Sequence, residues 1–135
     1  MITGDDEIRS VLSAAKTIAV VGASPKPWRD SGSIAQFLAG KKYTVYPVNP
    51  KYKEVLGMPC YPDLKSLPGK IDIVDIFRNS NEVARIVDEA IAVGAGCIWM
   101  QLGVVNEQAA AKAEAAGLTV IMDRCIAIEH RALMR

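Results

Sequence analysis

The segment after the first apolar run carries side chains suited to holding an anion. Residues 22–33 read GASPKPWRDSGS, in which Gly22 permits a tight turn, while a lysine and Arg29 supply positive charge. Ser24 and Ser31 add hydroxyls, and a helix beginning here would offer free N–H groups to a phosphate. The segment is not a GxGxxG fingerprint, because only the first glycine is in place. We therefore predict a phosphate-binding loop, with an ordinary polar connection as the alternative.

A second cationic group follows the next strand-like run, YTVYPVN. The run ends in Asn49; Pro50 and Lys51 follow it, and Lys53 is close by. Domains that bind NAD usually place an acid here to hold the ribose hydroxyls. A cation favours a ligand with an extra phosphate instead, which describes both NADP and coenzyme A. The alternative is a solvated, charged turn.

Two later apolar runs also end in residues that suit a nucleotide ligand. At the end of IDIVDIF, Phe77 is able to cover an adenine or pantetheine edge, and Arg78, which follows, is able to meet a phosphate. Asn79, which follows, is an equally good candidate for capping the next helix. The run CIWMQLG ends in Gln101 and Gly103, and the glycine permits a close approach of the backbone.

No catalytic or metal-binding constellation accompanies these loops. The sequence has no nucleophile elbow, no Walker A lysine and no CxxC pair. Asp75 lies in a buried run and is interpreted as a hydrogen-bonded structural carboxylate, and His130, in a polar tail, as exposed and inert. Catalytic residues and metal ligands are therefore both predicted as none, which favours binding without turnover.

The three cysteines are an odd number at wide spacings, which excludes a complete disulfide framework within one chain. Cys97 is predicted to pack in the core. Cys125, beside an arginine, is interpreted as a packing residue, with a reactive thiol as the alternative. Whether Cys60 or Cys125 is redox-active is left open. This usage of cysteine agrees with a cytoplasmic location.

Length and composition limit the class of protein further. The 135 residues predict a single domain over residues 1–135, and no apolar run is long enough to span a bilayer. The N-terminus lacks the pattern of a signal peptide, so we expect a cytoplasmic protein that does not bind membranes. A net charge of +1 argues against a nucleic-acid partner. That charge is uneven, since residues 16–53 carry +6 and the remainder −5. Protein partners and self-association are left open.

Apolar runs alternate with amphipathic ones, which predicts an α/β fold. Strands are expected at residues 17–22, 43–49, 71–77, 97–103 and 118–123. Helices are expected before the first strand and, between strands, near residues 31–40, 81–94 and 106–116. The predicted fold is a three-layer, Rossmann-like, doubly wound sheet of about five parallel strands in the order 3-2-1-4-5, with helices on both faces. The weak point is the connection from the second strand to the third, which offers only about one helical turn.

Five short motifs in a fixed order also resemble a known family. VGAS, PVNPK, DIFRN, WMQLGV and MDRC, in this order, resemble the small stand-alone CoA-binding proteins. Those proteins are similar to the N-terminal CoA-binding domain of the succinyl-CoA synthetase alpha subunit and of ADP-forming acyl-CoA synthetases. The resemblance runs from about Ile8 to Glu129 and departs at Ile126, where a proline is usual.

The resemblance implies a Rossmann-like domain that binds coenzyme A or an acyl-CoA. The positions it assigns to the cofactor are Gly22, Ala23, Ser24, Arg29, Ser31, Lys51, Phe77, Arg78 and Asn79. In the synthetases the phosphorylated histidine and the ligase chemistry belong to a following domain, and His130 matches no such motif. We therefore expect binding without catalysis.

Two other functions stay open. One is an NADP-type dinucleotide-binding regulator or oxidoreductase, which shares the fold and the cation after the second strand. The other is a non-catalytic subunit of an acyl-CoA synthetase, which would need a separate partner chain.

Overall fold

Short β-branched runs form the strands and amphipathic runs form the helices in the computed structural model, which describes residues 1–134. The strands are β1 Thr17–Val21, β2 Thr44–Val48, β3 Glu54–Val55, β4 Met58–Pro59, β5 Ile73–Ile76, β6 Cys97–Met100 and β7 Thr119–Ile121. The helices are α1 Asp5–Ala14, α2 Asp30–Gly40, α3 Val83–Ala92, α4 Glu107–Ala115 and α5 Ile126–Leu133. Single 3₁₀ turns cover Leu64–Ser66 and Ser80–Glu82. None of these helices is both long and apolar enough to cross a membrane.

The five longer strands form one parallel sheet in the order β2-β1-β5-β6-β7. The predicted class, a Rossmann-like α/β sheet of about five parallel strands, is confirmed. The predicted order 3-2-1-4-5 is wrong. Counting only the strands of this sheet, the order is 2-1-3-4-5, so the third strand pairs with the first and does not lie outside the second.

Pro47 explains the corrected strand order. It stands opposite Val20 in the β1–β2 register, and a proline has no N–H to donate to a further strand. β2 is accordingly an edge strand, and its first three residues are partly or fully exposed. β5 is buried along its whole length, as an interior strand of a parallel sheet should be.

Both edges of the sheet are covered by other parts of the chain. Beyond β2, β3 and β4 form a small antiparallel hairpin, after which Tyr61 donates its N–H to the Pro47 carbonyl (3.0 Å) and accepts from the Asn49 N–H (2.8 Å). Beyond β7, the N–H of Ile2 donates to the Val120 carbonyl (3.0 Å). Neither edge is therefore left as a continuous row of free backbone groups.

Alternate residues of each strand pack into two apolar layers, one on each face of the sheet. On one face, Ala19, Val74 and Ile98 pack against α3 and α4. On the other face, Ile18, Ile73 and Trp99 pack against α1, α2 and α5. Helices on both faces confirm the expected three-layer arrangement.

The C-terminal segment differs from expectation. α5 packs against α1 and α2, and His130, expected to be exposed, is 7% exposed. Its ring packs edge-on against Phe37 (5.5 Å between centroids) and Tyr43 (5.8 Å). Burial, with the nearby charge of Lys41 as a smaller cause, lowers the pKa of His130.

Asp75 also differs from expectation, because it lacks the hydrogen bonds proposed for it. Its side chain is fully buried in the middle of β5, and neither carboxyl oxygen has a partner among the described residues. Burial raises its pKa well above the ordinary value. The carboxyl also raises the pKa of Cys97, although burial of that thiol is the larger cause.

Candidate functional site

The crevice between β1 and β5 is where this topology places a ligand. The chain proceeds from β1 outward to β2 on one side, and from β5 outward through β6 to β7 on the other. The helix after β1 packs on one face of the sheet and the helix after β5 on the opposite face. The loops at the carboxyl ends of β1 and β5 therefore diverge, which leaves room between them.

Gly22 brings the loop after β1 close to the end of β5. Its φ is +89°, and a Cβ built there would lie 2.7 Å from Cδ of Arg78 and 3.1 Å from the carbonyl oxygen of Phe77. Its N–H donates to the Val48 carbonyl at 2.8 Å, which attaches the same loop to β2. The structure thus brings Gly22, Phe77 and Arg78 into contact.

The loop between β1 and α2 is closed by its own serines. The N–H of Ser24 donates to Oγ of Ser31 (3.0 Å), and Oγ of Ser24 accepts from the N–H of Lys26 (3.1 Å). Gly32 permits this closure, because a Cβ there would lie 2.6 Å from the carbonyl oxygen of Lys26. Ser24 and Ser31 therefore lie close together, but both of their hydroxyl oxygens already accept hydrogen bonds from N–H groups within the loop.

Ala23 and Arg29 differ in how they reach the loop surface. The Ala23 side chain is fully buried, so only its backbone is able to meet a ligand. Arg29 is exposed at the N-cap of α2 and makes no ion pair among the described residues. Trp28, beside it, is 74% exposed, with the Lys26 ammonium 6.0 Å from its ring centroid.

Asn49 is a residue that the sequence analysis did not include in the site. It is 7% exposed, its Nδ2 donates to the Ala23 carbonyl (3.0 Å), and its Oδ1 accepts from the N–H of Lys51 (3.0 Å). It therefore joins the loop after β1 to the loop after β2 and orients the backbone of Lys51. An asparagine at the end of a strand, just before a proline, is the signal that would have indicated this role.

Arg78 is fixed by an acid of the following turn. Its Nη2 lies 2.9 Å from Oε1 of Glu82, and this hydrogen bond lowers the pKa of Glu82. Arg78 lines a cavity of about 90 Å³ together with Gly22, Asn49 and Arg85. Arg85 was not predicted from the sequence, because its position in the first turn of α3 is its only signal. Asn79 is exposed and lines none of the cavities described here.

A larger cavity of about 370 Å³ lies between α2 and α5, beyond the ends of β5 and β6. Phe77 lines it and also lines a shallow hollow that includes Arg29 and Ser31. The floor carries Gln101, whose Oε1 accepts from the N–H of Ile126 at 3.0 Å. A proline at residue 126 would have no N–H to donate. Ile126, which stands where a proline is expected from the resemblance, therefore allows this hydrogen bond.

The chemistry offered at this edge is that of anion and nucleotide binding. Its side chains include cations, hydroxyls, amides and aromatic rings, arranged around a helix N-terminus, together with the acids Asp30, Asp63 and Glu89. The described residues include no group of three side chains arranged to ligate a metal. A parallel sheet with such an edge defines a nucleotide-binding domain of the Rossmann-like class. Residues 16–131 match the family described as CoA binding domain, and the chain belongs to that family.

Relatives of two sizes share this domain. The uncharacterized protein YneT of Bacillus subtilis is 40% identical over 124 residues, which are 92% of each chain. The ADP-forming acetate–CoA ligase I of Archaeoglobus fulgidus is 40% identical over 74 residues, 55% of this chain but 11% of the ligase. The chain is thus homologous to one small part of that much larger enzyme.

Solved structures show the same two sizes. A hypothetical protein from Pyrococcus horikoshii OT3 superimposes with a TM-score of 0.96 at 44% identity, over 98% of this chain and 94% of that one. The dinucleotide forming acetyl-coenzyme A synthetase 1 of Ca. Korarchaeum cryptofilum superimposes with a TM-score of 0.70 at 28% identity, over 80% of this chain and 26% of the synthetase. The fold therefore occurs both in small proteins and as a part of synthetases.

Proposed function

We propose that this protein binds coenzyme A or an acyl-CoA at the carboxyl edge of its sheet, without catalysis of its own. The observation that carries the proposal is the approach of Gly22 to Arg78, where a Cβ would lie 2.7 Å from the arginine side chain. This approach brings a phosphate-binding backbone and a cation to the same side of the crevice. Membership of the CoA-binding domain family supports the ligand class.

Different residues are proposed to contact different parts of the ligand. Backbone groups at Gly22, Ala23 and the start of α2 receive the diphosphate, because helix N-termini attract anions. Lys51 and Arg78 supply charge for the remaining phosphate, while Phe77 covers an apolar part of the ligand. Ser24 and Ser31 hold the loop in shape through their mutual hydrogen bond. Arg29 is placed to approach the diphosphate from the exposed side.

Isothermal titration calorimetry tests the ligand and the role of its extra phosphate. We expect coenzyme A to bind at least about tenfold more tightly than 3′-dephospho-CoA, a difference of about 1.4 kcal/mol. NADPH, which also carries a ribose phosphate, should bind more weakly than coenzyme A. Absence of coenzyme A binding would refute the proposal, and tighter binding of NADPH would favour a dinucleotide-binding regulator.

Lys51→Glu tests the cation after β2. The charge reversal should weaken coenzyme A binding at least about tenfold, because an attraction becomes a repulsion. Lys65→Glu is the matched control, since Lys65 is also exposed and lies on the 3₁₀ turn at Leu64–Ser66, outside the crevice. If both variants bind like the parent, Lys51 is only a surface charge.

A further inference from the structure

The cavity between α2 and α5 continues the crevice away from the phosphate loop. Asp30 and Phe77 line both this cavity and the shallow hollow beside Arg29. Its volume is about 370 Å³, and apolar side chains such as Ile34 and Leu102 form much of its wall. A ligand whose phosphates meet the loop after β1 would therefore direct its distal arm into this cavity.

Gln101 presents a polar side chain to this cavity. Its side chain is 5% exposed, and its oxygen is engaged by the N–H of Ile126. The amide nitrogen, by contrast, has no hydrogen-bond partner among the described residues. Among the described residues, the fully enclosed side-chain atoms without a partner are the two Asp75 oxygens, so the Gln101 nitrogen is open to the cavity, where water or a ligand is able to accept from it. This donor suits the amide carbonyls of a pantetheine arm.

Cys125 is the cysteine that lines this cavity. It is partly buried and occupies the N-cap of α5. Cys97 is buried within the sheet. The Cys60 thiol lies near the outer edge of β2, where it donates to the Asn49 carbonyl at 3.6 Å. The fold thus places one thiol at the far end of the proposed ligand path.

We propose that the cavity between α2 and α5 receives the sulfur end of the bound cofactor, and that Cys125 exchanges with the disulfide form of coenzyme A. The inference rests on the proposed function, which supplies the anchored nucleotide. Cys125 first loses its proton to solvent, and its thiolate attacks one sulfur of the coenzyme A disulfide. That S–S bond breaks, a Cys125–coenzyme A disulfide forms, and the second coenzyme A leaves as a thiolate that takes up a proton. One disulfide replaces another, so no further oxidant is needed.

The exchange would turn a binding domain into one that retains its cofactor covalently under oxidising conditions. A free thiol, including reduced coenzyme A itself, reverses the step by the same attack. Occupancy of Cys125 then follows the ratio of disulfide to thiol in the surrounding pool. The protein would in this way report on the redox state of the coenzyme A pool.

Mass spectrometry of the intact protein, followed by peptide mapping, tests the proposal. The protein is incubated with coenzyme A disulfide or, separately, with glutathione disulfide, which lacks the nucleotide. We expect one coenzyme A adduct on Cys125, formed at least about tenfold faster than the glutathione adduct, because binding raises the effective concentration of the disulfide. Equal rates for the two disulfides, or an adduct on Cys60 in place of Cys125, would overturn the proposal.

Three variants separate this inference from the proposed function. Cys125→Ser should lose the adduct and keep coenzyme A binding in calorimetry, whereas Cys60→Ser should form the adduct at the parental rate. Lys51→Glu should slow the coenzyme A adduct to the glutathione rate. If the parent binds coenzyme A but forms no adduct, the inference fails and the proposed function stands. If the parent binds no coenzyme A, the proposed function itself fails.

Discussion

Gly22 illustrates how one residue links backbone geometry to the proposed site. An alanine there would meet two penalties, the left-handed φ of +89° and the contact at 2.7 Å with Arg78. Gly117 has nearly the same φ, +92°, but a Cβ there meets no atom within 4 Å. The two glycines therefore separate backbone strain from steric overlap.

We expect Gly22→Ala to destabilise the protein more than Gly117→Ala. The left-handed backbone costs about 1–2 kcal/mol in both variants. The overlap at Gly22 adds about 1–3 kcal/mol and displaces Arg78, which should also weaken coenzyme A binding. Urea denaturation and calorimetry measure the two effects. Equal destabilisation by both variants would show that the Arg78 side chain moves aside without lowering the free energy of unfolding.

Asp75 is expected to make stability fall as the pH rises. Its folded pKa is raised because burial disfavours the charged carboxylate and no donor compensates. In the unfolded chain the carboxyl ionises near pH 4, so its contribution to stability is complete below that pH. Above it, the free energy of unfolding falls by about 1.4 kcal/mol per pH unit until the pH passes the folded pKa.

Asp75→Asn should therefore be more stable than the parent at about pH 7 and similar to it near pH 4, measured by urea denaturation. Asp72→Asn is the control of opposite sign. Burial raises the pKa of Asp72, but hydrogen bonds from the N–H groups of Lys16 and Thr17 outweigh it and lower the pKa. That stabilisation is lost in acid, so the control should be less stable than the parent at about pH 7. A parallel pH response of both variants would contradict this assignment.

The strand-end residues were the part of the site that the sequence could predict. Gly22, Lys51 and Arg78 follow apolar runs, and parallel strands end at a common edge. The hydrogen bonds of Asn49 and the path of Arg85 into the crevice depend on how distant segments meet. Periodicity along the chain holds no information about such contacts.

At the scale of elements, the main strands and the helices between them were predictable because each contains a clear apolar period. α5 was missed because its sequence, IAIEHRAL, mixes charges with its apolar positions and resembles a solvated tail. The β3–β4 hairpin has two residues in each strand, too few for any period to be visible. The strand order was predictable in principle, since Pro47 already excluded β2 from the interior of the sheet.

The attachment of α5 should weaken in acid because of His130. Its folded pKa is lowered by burial and, to a smaller extent, by Lys41, so the docked helix favours the neutral ring. This contribution is complete above the unfolded pKa of about 6.5 and is lost as the pH falls through the folded pKa. Hydrogen exchange corrected for its intrinsic pH dependence should show α5 amides losing protection as the pH falls below about 6.5.

His130→Phe supplies the comparison for this effect. It keeps an aromatic ring against Phe37 and Tyr43 but cannot take up a proton. Protection of α5 in this variant should be independent of pH over the same range. Unchanged protection of the parent helix in acid would mean that His130 does not govern the docking of α5.

At the scale of the whole molecule, the charge is divided in a way that the net value conceals. Residues 16–53 carry a net +6 and the rest a net −5. Four of the seven cations in this part, Lys26, Arg29, Lys51 and Lys53, lie in the loops after β1 and β2, on one side of the crevice. Such a distribution attracts a polyanionic ligand to this side without making the protein basic overall.

Salt should therefore weaken coenzyme A binding. Raising the ionic strength from about 0.1 M to 1 M shortens the Debye length from about 10 Å to about 3 Å, which screens these exposed cations. The dissociation constant should rise with salt, and less steeply for 3′-dephospho-CoA, which carries fewer charges. Calorimetry at several salt concentrations measures how the dissociation constant of each ligand depends on salt. An equal dependence for both ligands would indicate that the cations do not bind the extra phosphate.

The covered edges of the sheet have a consequence for aggregation. An open parallel sheet offers two templates onto which a strand of another chain is able to add, and such addition starts fibrils. Here Tyr61 takes up backbone groups beside Pro47, and Ile2 takes up the carbonyl of Val120. Each edge is thus partly occupied by the chain itself, so a strand of another copy is able to pair along the full edge only after the N-terminal segment or the segment around Tyr61 detaches.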